Sequence, residues 1–282
     1  MRVLPLLLLA GAALAAEPDA TERAKEALRF AESLAVEKDY YRAVTEYKRA
    51  AFLAPGSEVE RQAFYGIGMA YRAGEKWEPS VEAFRRMGDE RGEFEAAETL
   101  RLSGDADAAR DAFRAFLEKF PKSQDSDRAR LRLASCLARL KALKEAAEVL
   151  QGIPESSPCY PEAKKGREDL AAPPDLRPKS PALAGTLSAV LPGAGQCYAG
   201  RPAGGAATFL VNGLLIGGTV ESFRTDRNAL GALLGLAALA AYGGNVYGAV
   251  GDAHKANREA EEIWLQGVEK DLGVSLAWTV RF

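Results

Sequence analysis

Phe64-Tyr65-Gly66-Ile67-Gly68-Met69-Ala70-Tyr71, followed by Ser80-Val81-Glu82-Ala83-Phe84, is the stretch whose reading decides the fold. Phe64, Ile67, Gly68 and Tyr71 fall at helical spacing and make one apolar stripe. The second part sets a small residue four positions before an aromatic. That step returns as Ala43/Tyr47, Ala109/Phe113 and Ala146/Leu150, so the four small residues are spaced 37, 29 and 37 apart. Stripes also precede the first and fourth steps, as Ala27, Phe30, Ala31 and Leu34, and as Leu133, Ala134 and Leu137. The third unit is degenerate in its first helix. Pro55 and Pro121 close the first and third units. The physical reading is direct. A small side chain lets two antiparallel helices approach, the aromatic fills the gap to the next pair, and a pair that cannot bury its own face must stack on another.

Four such units resemble the tetratricopeptide repeat, a helix pair with the pattern Leu-Gly, Tyr, Ala-x3-Phe, Pro. The resemblance implies an all-α solenoid over residues 21–170, with at least seven helices in antiparallel pairs. The 29-residue spacing implies a shortened connection. Residues 113–123 also resemble repeats of bacterial envelope proteins, including outer-membrane assembly lipoproteins and cell-division coordinators. Pro154, Pro158 and Pro161 end the fourth unit, and 162–170 reads as a polar helix suited to capping the stack. Repeat arrays of this kind bind proteins in a groove lined by the first helix of each pair. The repeat register points Tyr65, Met69, Arg72, Phe94, Arg101, Leu131 and Arg139 into it. Aromatics beside arginines suit a peptide carrying acidic groups.

The whole chain of 282 residues balances 37 Lys+Arg against 39 Asp+Glu, a net charge of −2, which argues against a nucleic-acid partner. One His, three Cys and no C-x-x-C leave no basis for a metal or cofactor. No phosphate-binding loop follows a strand, and His254 stands without a titratable neighbour placed to assist it, so an enzyme is not expected. At the start, Met1-Arg2, the uncharged run Val3 to Leu14 and Ala13-Leu14-Ala15 read as a signal peptide over 1–15. Export to an oxidising periplasm permits a disulfide between Cys136 and Cys159; the alternative makes Cys136 a small buried hydrophobe.

Residues 172–181 form a Pro-rich linker, and beyond it the composition changes. Residues 203–223 and 229–250 are apolar runs joined by Arg224-Thr225-Asp226-Arg227-Asn228. They read as a helical hairpin in a bilayer, within a membrane domain over 182–251. The alternative is a soluble hairpin buried against protein. Gly213/Gly217, Gly231/Gly235 and Gly244/Gly248 offer small-residue faces for a homo-oligomer. Asn212 and Asn245 need partners in lipid and are expected to face each other or another protein.

The run Pro192-Gly193-Ala194-Gly195-Gln196-Cys197-Tyr198-Ala199-Gly200 resembles the P-G-x-G-Q-x-Y-x-G motif of small bacterial membrane domains. The similarity covers 182–262 and implies a membrane domain with no known catalysis. Residues 252–272 read as an amphipathic helix at the membrane edge, and 273–282 alternates as a short C-terminal β-strand. Two functions follow as expectations. One is an inner-membrane-tethered scaffold whose repeats bind an envelope protein in the periplasm. The other is a membrane-active component, transporter-like or insertion-assisting, whose function lies in 182–262. Two spans put Arg224 and Arg227 in the cytoplasm; a third span over 183–199 reverses that.

Overall fold

A computed structural model describes residues 19–171 and 178–274. The signal peptide, linker residues 172–177 and residues 275–282 of the expected strand lie outside the described residues. The chain parts into two compact units at Tyr160/Pro161. All regular structure among the described residues is helical.

The first unit holds α1 (Ala20–Val36), α2 (Tyr40–Leu53), α3 (Glu58–Ala73), α4 (Trp77–Arg85), α5 (Glu90–Leu102), α6 (Ala106–Lys119), α7 (Ser126–Arg139) and α8 (Leu143–Gln151). Each helix packs on the next, and α1 touches α3 as α5 touches α7. This is the expected stack of helix pairs. Asp39, Asp89 and Asp105 cap α2, α5 and α6 by accepting the N–H of Arg42, Gly92 and Ala108. The turn inside each pair carries one left-handed residue: Lys38, Glu75, Gly104 and Lys141. These repeat in step with the small residues of the crossings.

Ala43, Ser80, Ala109 and Ala146 are all fully buried, and Tyr47, Phe84, Phe113 and Leu150 are buried beside them. The ring of Tyr47 lies on Gly66 and that of Phe84 on Gly68, where a β-carbon would collide with them. Serine serves at position 80 because its hydroxyl donates to the Gly68 carbonyl at 2.8 Å. Two expectations need correction. Phe30 is 47% exposed and is not part of the first stripe. The short 29-residue spacing comes from the helices, not the connection. After its aromatic, α2 runs on to Leu53, whereas α4 stops at Arg85 and α5 is itself short.

The second unit holds α9 (Tyr160–Ala171, from Pro161 on), α10 (Pro181–Val190), α11 (Ala194–Tyr198), α12 (Pro202–Arg224) and α13 (Asn228–Asp271). The expected capping helix, α9, groups here, and its Lys165 pairs with Asp271 of α13 at 2.6 Å. Helices α12 and α13 pack along each other as a hairpin, and α10 packs on α13. Both hairpin helices are long and apolar enough to cross a membrane. Their Phe209, Leu210, Leu214, Leu233, Leu236 and Leu239 are exposed, unlike the side chains of a buried soluble hairpin. With 44 residues, α13 is about 66 Å long. It continues unbroken past Asp252, so residues 252–271 extend the hairpin helix and do not form a separate helix turned along the membrane edge.

Replacing Ala109 with Leu should overpack the α6 crossing and cost about 1–3 kcal/mol. Urea unfolding of a fragment spanning 19–171 measures it; an unchanged midpoint would mean that the register is wrong.

Candidate functional site

In the first unit, α1, α3, the α4–α5 turn and the start of α5 enclose a groove of about 1060 Å³. Tyr65, Met69 and Met87 give it an apolar wall, and its polar lining sets Arg61, Gln62 and Arg91 beside Glu32, Glu58 and Asp89. The Arg91 guanidinium lies 3.9 Å over the Tyr65 ring. Stacking fixes the plane of its donors, the geometry that suits bidentate recognition of a carboxylate. Arg91 is exposed and has no carboxylate at ion-pair distance among the described residues. Arg61 instead pairs with Glu58, whose carboxyl is held below its ordinary range by the Arg61 hydrogen bond. Tyr47 also lines the groove; burial and the Glu32 charge push its phenol up to about 12, so it stays protonated as a donor.

The register placed seven residues in a groove, and the structure divides them. Tyr65 and Met69 line the groove. Phe94 is buried edge-on against Phe113 and Phe116, with its rim under Arg128. Leu131 is buried, and Arg139 is half-buried. Arg72 and Arg101 are corrected outright, because both are buried and already paired. Arg72 donates to Thr99 Oγ1 and to the Glu95 carboxylate at 2.7 Å, with its guanidinium 4.7 Å from the Phe84 ring centre. Arg101 donates to both oxygens of Glu98 at 2.8 and 2.9 Å, and Arg132 of α7 approaches the same carboxylate at 3.2 Å. These charges tie α3, α5 and α7 together. Burial pushes the Glu98 carboxyl up, but the Arg101 hydrogen bonds and the Arg132 and Arg72 charges outweigh it, leaving it below the ordinary carboxylate range. Sequence reading missed Met87 and Arg91 because the turn after α4 comes early in the shortened unit; Arg61 and Gln62 lie one turn before Tyr65 on its own face of α3, a helical spacing that could have found them. Cys136 is buried in α7, Cys159 is half-buried, and both stand as thiols in the structure. Cys136 fills a buried position in α7 as a small hydrophobe.

In the second unit the glycine motif closes a polar clasp. Asn245 of α13 accepts the Gly193 N–H at 3.1 Å and donates to the Ser188 carbonyl at 2.9 Å. Gln196 donates to the Asn245 carbonyl at 3.0 Å and accepts from Ser188 Oγ at 2.8 Å. Ser188 Oγ in turn accepts the Gly195 N–H at 3.0 Å. All three side chains are buried; Asn245 and Ser188 satisfy backbone that Pro192 and the turn leave open, and Gln196 ties the turn to α13. Gly193 adopts φ 90°, and a β-carbon on Gly195 would fall 2.0 Å from the Ala184 carbonyl. Tyr198 accepts the Ser180 N–H at 3.0 Å, Gly200 turns the chain at positive φ, and Arg201 pairs with Asp252 at 2.9 Å. Asn212 and Asn245 line one crevice from the two hairpin helices but do not bond to each other: Asn245 is engaged by the clasp, and among the described residues Asn212 bonds to the Thr208 carbonyl at 2.9 Å. No group of three metal-ligating side chains occurs among the described residues.

Comparison with known families matches residues 94–161 to the tetratricopeptide repeat. No curated protein and no solved structure matches the chain significantly. Residues 94–161 are thus similar to a protein-interaction repeat, and the helix pairs before them continue the same architecture.

Because the folded state holds Glu98 below its ordinary pKa of 4.5, its contribution is fully present above that value. It is lost as pH falls from there through the depressed folded value. Glu98→Gln, which leaves Arg101 and Arg132 without their anion, should destabilise the 19–171 fragment by about 3 kcal/mol at pH 7. Urea midpoints at pH 7 and pH 3.5 test this: the variant should show a smaller acid-induced drop than the parent.

Proposed function

We propose that the chain is a membrane-tethered scaffold of a bacterial envelope, with periplasmic repeats that bind a protein partner. The observation that carries the reading is the groove of α1, α3 and α5, where Arg91 is stacked, exposed and unpaired beside Tyr65 and Met69. That combination suits a peptide that sets an acidic side chain on Arg91 and an apolar one against Met69 and Met87. The tether is the α12–α13 hairpin, whose outward side chains are lipid-compatible along both helices. Its connecting turn carries Arg224 and Arg227 on the cytoplasmic side, in keeping with the preference of such loops for basic residues. Between Pro181 and Tyr198 the chain dips into the membrane and returns. At about 15 Å, the ten-residue α10 reaches only half of a hydrocarbon layer of about 30 Å. A membrane-active role gains little from the clasp, because its polar groups satisfy one another and leave none to line a path.

A photo-crosslinking residue at Gln62, inside the groove, should trap one discrete partner in native membranes, and Arg91→Glu should abolish the adduct. The same residue at Glu82, on the opposite groove of α2, α3 and α4, should trap none; the reverse pattern moves the binding face. For topology, single cysteines are placed in a chain with its native thiols replaced by Ser. In spheroplasts an impermeant maleimide should label position 266 and spare position 225. Labelling of 225 alone would sink the two-span arrangement.

A further inference from the structure

Between α12 and α13, level with the α10–α11 turn, lies a crevice of about 420 Å³. Its long walls carry Gly204, Ala207 and Val211 from one helix and Ala241, Gly244 and Gly248 from the other, with Gln196, Asn245 and Asp252 of the clasp side also lining it. At Gly204 and Gly244 a β-carbon would meet nothing within 4 Å, so these walls are open to close approach by another backbone. Small walls alone name no occupant. Asn212 does, for it lines the same crevice and is 2% exposed.

One N–H of the Asn212 carboxamide donates to the Thr208 carbonyl, while its Oδ1 has no hydrogen-bond partner. Its second N–H has none either among the described residues. In a hydrocarbon setting no water repairs this, and a buried unmet acceptor is costly. A group with one free acceptor and one free N–H is satisfied in full by another carboxamide in the same state. The chain supplies that group itself. Two copies related by a two-fold axis along the membrane normal bring residue 212 of each to the same depth.

We propose that this crevice is the interface between two copies of the chain, closed inside the bilayer by a reciprocal pair of Asn212 carboxamides. The inference rests on the reading that α12 and α13 span the membrane. The small walls let the two α12 helices approach, and the amide pair fixes their register.

The test uses the full-length chain in native membranes with Cys136, Cys159 and Cys197 replaced by Ser. Oxidation should yield disulfide-linked dimers from a single cysteine at Val211, in the crevice, and none from one at Leu210, on the lipid-facing side. Asn212→Leu should weaken dimerisation about tenfold, or ~1.4 kcal/mol, for the loss of both hydrogen bonds of the pair. Gly244→Ala, whose β-carbon meets nothing within 4 Å inside one copy, narrows the crevice and should also suppress the crosslink. Dimers through position 210, or dimers indifferent to both substitutions, would overturn the proposal. Alkaline carbonate extraction separates the two levels. Protein stripped from the membrane defeats the membrane reading and this one with it; protein that stays but never crosslinks defeats only this one.

Discussion

At the crossing inside each repeat pair, and where α11 meets α10, nothing larger than a methyl or hydroxymethyl group stands at the contact, and something bulky or polar closes over it. Ala43, Ser80, Ala109 and Ala146 meet that condition in the repeats, with Tyr47, Phe84, Phe113 and Leu150 as the covers. Gly195, against the Ala184 carbonyl, meets it in the second unit. The covers differ because the driving forces differ. In water, burying a ring such as Phe84 or Phe113 contributes about 1.5–3 kcal/mol, so apolar side chains do the work. For helices that face lipid, as proposed for the second unit, that force would be absent, and association would depend on close packing and hydrogen bonds. The clasp of Ser188, Gln196 and Asn245 stands in the place the aromatic rings hold in the repeats.

That constraint made the repeats legible from the sequence. A small residue four before an aromatic is a packing rule, and it returned at all four crossings with the right residues buried. Features that depend on distant partners were not legible. Arg72 looks like a solvated arginine until Glu95 and Thr99 on the neighbouring helix are seen to hold it. Arg101 differs from a groove residue only by which face of α5 meets α7. The left-handed turn residues were hidden too, since Lys38, Glu75 and Lys141 give none of the glycine signal that such a backbone usually carries.

The membrane motif was legible as a pattern but not as a mechanism. Its glycines and Gln196 announced a turn, while the residue that closes the turn, Asn245, lies in the second apolar run. Two lone amides in two apolar runs invited the pairing of Asn212 with Asn245. The structure spends Asn245 on the backbone of the α10–α11 turn, where an unmet N–H in hydrocarbon would cost more than an exposed one. Asn212 is therefore left over, and its unmet oxygen is a direct consequence of the clasp.

Helix α13 also works as a ruler for everything that packs on it. Lys179 is bracketed by Asn257, through its N–H at 2.7 Å and its carbonyl at 2.9 Å. Arg201 meets Asp252, Gly193 meets Asn245, and Tyr242 donates to the Ala189 carbonyl at 2.6 Å. Followed along the chain, these contacts descend from 257 to 242 and climb back to 252 before α12 begins. For a hairpin that crosses a bilayer, the chain then passes from that surface to the Arg224–Arg227 turn and returns. Lys179 and the charged half of α13 therefore lie at one level. If α12 and α13 span a bilayer, that shared level requires an even number of crossings between them, independently of the distribution of basic residues.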